Sequence, residues 1–221
     1  FNMLQQFWNS ILFSVGSAIA FTFTSLVMGY ASARFKYKFS EFIYMFVLVT
    51  LALPIVGSMP SEIAVSQALG FFDTFLGIWI MRCTFLNTYF LIFYAQFKMI
   101  PMDYTEAAKI DGANGWQTLF QITIPNVMSS ITICTFLTLS NGFKLFDQNL
   151  ALTGGLPYII NADGSSVHTT EMMALNIYNT FYGQNTGARG VAQAKAVLFF
   201  ILVAGLSVLQ LRMTRDKEVA A

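Results

Sequence analysis

The chain has 221 residues, 56% of them hydrophobic and 10% charged, against about 25% charged in an average soluble domain. A mean hydropathy of +0.60 with 23 Phe is more apolar surface than a soluble core of this size hides. A net charge of +1 on dispersed basic residues gives no field suited to nucleic acid. Composition therefore points to a bilayer.

The first long apolar run, about Ser10 to Ala33, would cover about 36 Å as a helix, enough for a hydrocarbon core of roughly 30 Å with some tilt. It ends in Arg34, Lys36 and Lys38, three cations that mark a cytoplasmic flank. A second run, about Phe42 to Met59, contains Pro54 and stops at Pro60, where a membrane helix kinks or ends. The segment Ser61 to Asp73 has no Lys or Arg and fits the outer side, and a third run from about Thr74 to Phe97 returns to Lys98 on the inner side.

The stretch 99–125 breaks the pattern. Asp103, Glu106, Lys109 and Asp111 make it too polar to span, and its spacing is helical, so it is expected in the cytoplasm. A fourth run, about Asn126 to Gly142, leads to an outer loop over 143–190, whose Gly154-Gly155, Asp163-Gly164 and Gly183 read as turns. A fifth run, about Val191 to Leu211, ends in Arg212, Arg215 and Lys217. The flanking cations number three, none, two, two and three, which predicts about five spans, an outer N-terminus and a cytoplasmic C-terminus. The expected fold is a polytopic all-α membrane helix bundle forming one domain over 1–221. The chain begins at Phe1 with no leader pattern, so an N-terminal part is expected to be missing.

Chemistry-bearing clusters are sparse. Cys83 and Cys134 sit in apolar runs, and His168 stands among Ser and Thr without the spacing of a zinc site, so no metal and no catalytic residue is assigned. His168 is read as a solvated loop residue and Glu171 as a cap for a helix beginning nearby. No GxxxxGK[ST] loop occurs, so this chain has no site of its own for ATP.

Within the polar stretch, Pro101-Met102-Asp103 looks like a helix start and Gly112 like its exit, giving a short helix over about 103–111. Ala107 and Ala108 would let another surface approach closely, and Gly112 permits a backbone angle that a Cβ resists. Trp116, Leu119 and Phe120 give a second short helix an apolar side. An ordinary amphipathic interfacial helix is the plainer reading of these residues.

Glu106-Ala107-Ala108, three residues, Gly112, nine residues and Ile122-Thr123-Ile124-Pro125 resemble the EAA loop of binding-protein-dependent ABC importers, with Ile124 where the usual residue is Leu. Ile100-Pro101 and Asp111-Gly112-Ala113 resemble the carbohydrate-uptake, maltose-type branch. Gly29 to Phe35, Leu53-Pro54 and Leu69-Gly70 resemble one permease arm of that branch. Leu152 to Gly155, Pro157 and Ala192 to Phe199 resemble the other.

The resemblance implies a type I importer permease in the bacterial cytoplasmic membrane, with one further helix ahead of Phe1. It implies that Glu106, Ala107, Ala108, Asp111, Gly112 and Ala113 couple the chain to two ATP-binding subunits, which hold the ATP and Mg. It also implies a second permease subunit, an extracytoplasmic solute-binding protein and a sugar or oligosaccharide as solute. The alternatives are a permease for a non-sugar solute and a channel or membrane scaffold.

Solute contacts are read from residue chemistry alone. Arg82 lies near the centre of the third run, where a cation costs about 2.5–3.5 kcal/mol, so it faces either a cavity or an acid such as Asp73 or Asp147. Thr138, Asn141 and Lys144 recur at three-residue intervals, a polar stripe suited to sugar hydroxyls or to holding helices together. Asn87 and Tyr89 are the candidates to face them.

Overall fold

The computed structural model describes residues 3–35, 38–53, 58–71, 74–144, 146, 149–150, 158–160, 166–168, 171–183 and 188–215. Among them the helices are α1 (Met3–Arg34), α2 (Lys38–Ala52), α3 (Ser58–Ala68), α4 (Phe75–Met81), α5 (Thr88–Met99) and α6 (Met102–Ile110). They continue with α7 (Gly115–Thr118), a π turn (Leu119–Thr123), α8 (Ile124–Asn126), α9 (Met128–Phe143), α10 (Met173–Tyr182) and α11 (Arg189–Arg215). One antiparallel pair, β1 (Tyr158–Ile160) and β2 (Ser166–His168), interrupts the helical fold, with Tyr158 opposite His168. His168 is thus in a strand, not a loop. The turns expected at Gly154-Gly155 and Asp163-Gly164, with Asp73 and Asp147, lie outside the described residues.

Among the described residues, two helices are long and apolar enough to cross a membrane, Gln6–Arg34 and Arg189–Thr214. A third span is possible if Gly115–Asn126 and Met128–Phe143, bent by 68°, count as one. The bend has a local cause. Pro125 lacks the amide that would bond Gln121 and crowds that carbonyl, and the preceding π turn and the non-helical Val127 (φ −105, ψ 8) absorb the mismatch.

The second and third apolar runs are each divided between two helices. The second stops at Ala52, just ahead of Pro54, and resumes as α3 with Pro60 in its first turn, where a missing amide costs nothing. The third splits into α4 and α5 across residues 82–87. There the Asn87 side chain accepts the Phe90 amide at 3.0 Å and starts a new helix.

The chain divides into two compact units. In the first (1–18, 59–81, 138–208), Ala18, Leu139 and Phe143 form a core against Ile11, Phe199, Leu202, Val203 and Leu206. Gly142 lets α9 pass close to α1 there, since a Cβ on it would stand 3.1 Å from the backbone and side chain of Ser14. In the second (19–58, 82–137, 209–221), Phe93, Phe97, Ile100, Val127 and Cys134 pack on Leu26, Tyr30 and Ile131. Gly29 brings α1 against α5, with Phe93 Cβ 2.8 Å from the place its own Cβ would take. Along α11, Val197, Phe200, Ile201, Val208 and Leu209 are exposed, an apolar surface that lipid can cover.

Candidate functional site

The helix expected over about 103–111 is present as α6, Met102–Ile110, with Pro101 at its N-cap position. Asp103 in its first turn and Lys109 in its last both complement the helix dipole. Its end is closed by backbone bonds: Gly112 donates to the Lys109 carbonyl at 3.1 Å and Ala113 to the Ala108 carbonyl at 2.9 Å, a Schellman motif. That motif needs the left-handed backbone that Gly112 adopts, at φ +80.

The faces of α6 differ. Asp103, Glu106, Ala107 and Ile110 share one side at helical spacing and all are exposed, Ile110 by 86%. Ala108 is buried on the other side. Of the two alanines expected to admit a second surface, Ala107 alone is placed to do so. Arg34 at the end of α1 donates to the Met102 sulfur at 3.1 Å, tying the first turn of α6 to a long helix.

The chain then re-forms a helix at a capping box. Asn114 accepts the Gln117 amide at 2.9 Å while the Gln117 side chain accepts the Asn114 amide at 2.8 Å. Trp116 and Phe120 stack 5.9 Å apart and stay 71% and 59% exposed. The expected apolar side of the second short helix is therefore on the surface.

The candidate solute contacts fall in both units. Arg82 is half-buried in the break between α4 and α5, not inside a helix, and its carbonyl accepts the Thr84 amide at 2.8 Å. Asn87 is buried and occupied. Besides capping α5, it donates to Ser25 Oγ at 2.9 Å and to the Thr84 carbonyl at 2.9 Å. Tyr89 packs edge-on against Phe21 at 5.4 Å. Thr138 and Asn141 lie in the last turns of α9 and Lys144 just past its end, Thr138 half-buried and the other two exposed.

A second polar constellation was missed by sequence reasoning. Glu171 does not cap α10, whose N-cap position is Met172 with no side-chain cap. Its carboxylate instead accepts from Gln6 Nε2 at 2.7 Å, Asn176 Nδ2 at 2.9 Å and Asn179 Nδ2 at 2.9 Å. Asn176 Oδ1 in turn accepts from Lys195 Nζ at 2.7 Å, and Lys195 also donates to Thr180 Oγ1 at 2.9 Å. The signal was available: Lys195 is a cation inside the fifth apolar run, as Arg82 is in the third.

The profile of the binding-protein-dependent transport system inner membrane component family matches residues 22–216. The chain belongs to this family. Among curated relatives of this permease, the probable starch degradation products transport system permease protein AmyD of Thermoanaerobacterium thermosulfurigenes is 35% identical over 97% of this chain and 77% of its own length. The multiple sugar-binding transport system permease protein MsmF of Streptococcus mutans is 33% identical over 58% of this chain and 41% of its own. Among solved structures, a bacterial alginate ABC transporter in complex with an alginate pentasaccharide-bound periplasmic protein superposes with a TM-score of 0.68. It covers 99% of this chain and 80% of the matched one at 13% identity, a likeness of fold alone. The permease is thus an inner-membrane component with the helical fold of ABC importers.

Proposed function

We propose that this chain is the membrane-spanning subunit of an ATP-driven importer that carries a sugar or oligosaccharide, with ATP and Mg held by separate subunits. The observation that carries the reading is α6 itself: a short polar helix with the EAA spacing, sealed at its end by Gly112 and presenting Glu106, Ala107 and Ile110 outward. A helix closed at its end by its own backbone bonds keeps its shape under load. Ala107 lets a second protein approach closely, Ile110 offers apolar area to bury, and Glu106 offers a carboxylate to a basic partner. Closure of two ATP-bound partners would then push α6 as a rigid lever and open the bundle outward, and reopening would return the path to the cytoplasm.

The partners are an ATP-binding pair, a second permease subunit and an extracytoplasmic solute-binding protein, with the C-terminus on the cytoplasmic side. Arg82, Thr138, Asn141 and Lys144 are the polar groups offered to the solute, whereas Asn87 is engaged in capping α5 and Tyr89 in packing on Phe21. The sugar reading is favoured over other solutes by the sequence relatives, whose names refer to starch products and multiple sugars. Uptake of labelled maltooligosaccharide into vesicles holding the full transporter, competed with unlabelled sugars, amino acids and phosphate, tests it. Competition by sugars alone supports the assignment, and competition by an amino acid or phosphate overturns it.

A further inference from the structure

Glu171, Asn176 and Lys195 are 4%, 6% and 4% exposed, so a carboxylate and an ammonium are buried together in one compact unit. They are joined through an amide relay: Lys195 Nζ donates to Asn176 Oδ1 at 2.7 Å and Asn176 Nδ2 donates to Glu171 Oε2 at 2.9 Å. The relay links α1, at the other end of the chain, to the consecutive helices α10 and α11, since Gln6 lies in α1, Asn176, Asn179 and Thr180 in α10, and Lys195 in α11.

The position of Lys195 is informative. Ala192, Lys195, Phe199, Leu202 and Leu206 recur at spacings of three and four along α11. Ala192 is buried, and Phe199, Leu202 and Leu206 pack on the core built around Leu139 and Phe143. A lysine therefore occupies one position of an otherwise apolar seam. Apolar contacts tolerate sliding by a turn, because one aliphatic side chain replaces another at similar cost. A buried ammonium does not, because any other register takes it away from Asn176 and Thr180 and from the nearby charge of Glu171.

We propose that Glu171, Asn176 and Lys195 are positioning residues that fix the register of α11 against α10, and that the transporter needs this register to respond to loaded binding protein. No solute contact is assigned to them: Glu171 accepts from Gln6, Asn176 and Asn179, and Lys195 donates to Asn176 and Thr180. The proposal rests on the importer reading for its functional part alone; the register claim concerns the chain by itself.

The test is a double-mutant cycle on the full transporter in lipid, with Glu171→Gln, Lys195→Met and the double variant. Basal ATP hydrolysis, hydrolysis stimulated by loaded binding protein, and thermal melting are the readouts. Each single variant is expected to lower stimulated hydrolysis about tenfold while basal hydrolysis changes less than about twofold, and the double variant is expected to recover most of the loss. Additive effects in the cycle, or single variants equal to wild type, overturn the proposal. If Glu171→Gln fails to assemble, the swap Glu171→Gln/Asn176→Asp moves the carboxylate one link along the relay, next to Lys195. The swap is expected to restore assembly, and its failure to do so overturns the proposal. A wild-type transporter without stimulation would count against the importer reading, and the melting cycle then decides the register claim by itself.

Discussion

Replacing Gly112 with valine isolates what the end of α6 contributes. No atom lies within 4 Å of where a Cβ on Gly112 would stand, so the substitution meets no steric clash with its surroundings. The cost is confined to the backbone: at φ +80 an L-residue gives up about 1–2 kcal/mol, and a β-branched one sits at the upper end. A penalty of that size shifts the population of a formed last turn by a factor of about 5–30. The turn is on the surface, so thermal melting of the whole chain is expected to change little. Hydrolysis of ATP stimulated by loaded binding protein is expected to fall by a similar factor of about 5–30, because the lever no longer has a fixed end. Gly112→Asn, which tolerates the left-handed region, is expected to lose less. Gly115→Ala is the control: its φ is not in that region and its surroundings are equally open. The reasoning is refuted if Gly112→Val hydrolyses ATP like wild type, or if Gly115→Ala is just as damaging.

Two further substitutions probe the packing that carries the site. Asn87→Ala removes the cap of α5 and the bonds to Ser25 and Thr84, and is expected to destabilise the protein by about 1–3 kcal/mol in detergent melting, with Asn87→Asp retaining the cap and part of the loss recovered. Gly29→Val places a branched side chain where Phe93 Cβ and the Tyr94 amide already stand, at 2.8 and 3.2 Å from a Cβ, and is expected to cost about 1–3 kcal/mol by the same measurement.

How far the sequence could be read depended on whether its signals were local. The short helix at α6 was legible because its start, its stop and the φ > 0 at its end are each written in single residues, Pro101 and Gly112. The membrane class was legible because hydropathy averages over long windows. The same averaging hid the break at residues 82–87. The run from Thr74 to Phe97 is apolar on average, and Asn87, the residue that starts a new helix, is one of a few polar positions scattered within it. The polar network was hidden for a different reason. Gln6 and Glu171 are 165 residues apart in sequence, and no periodicity within one helix says that a glutamate ahead of α10 meets a glutamine in α1. Residue chemistry marked Arg82 and overlooked Lys195, although both are cations in apolar runs. In the structure Lys195 donates to Asn176 and Thr180 of α10, and Arg82 lies in a break between helices.

The central claim is that α6 transmits ATP-driven motion to the membrane helices. It is tested most directly by Glu106→Lys in the transporter reconstituted in lipid with its ATP-binding subunits, binding protein and sugar. Glu106 is exposed on α6 beside Ala107, and its reversal leaves the buried side, Ala108, untouched. The account predicts that the variant reaches the membrane and melts like wild type, while stimulated ATP hydrolysis and sugar uptake both collapse. Wild-type hydrolysis and uptake in that variant would contradict it.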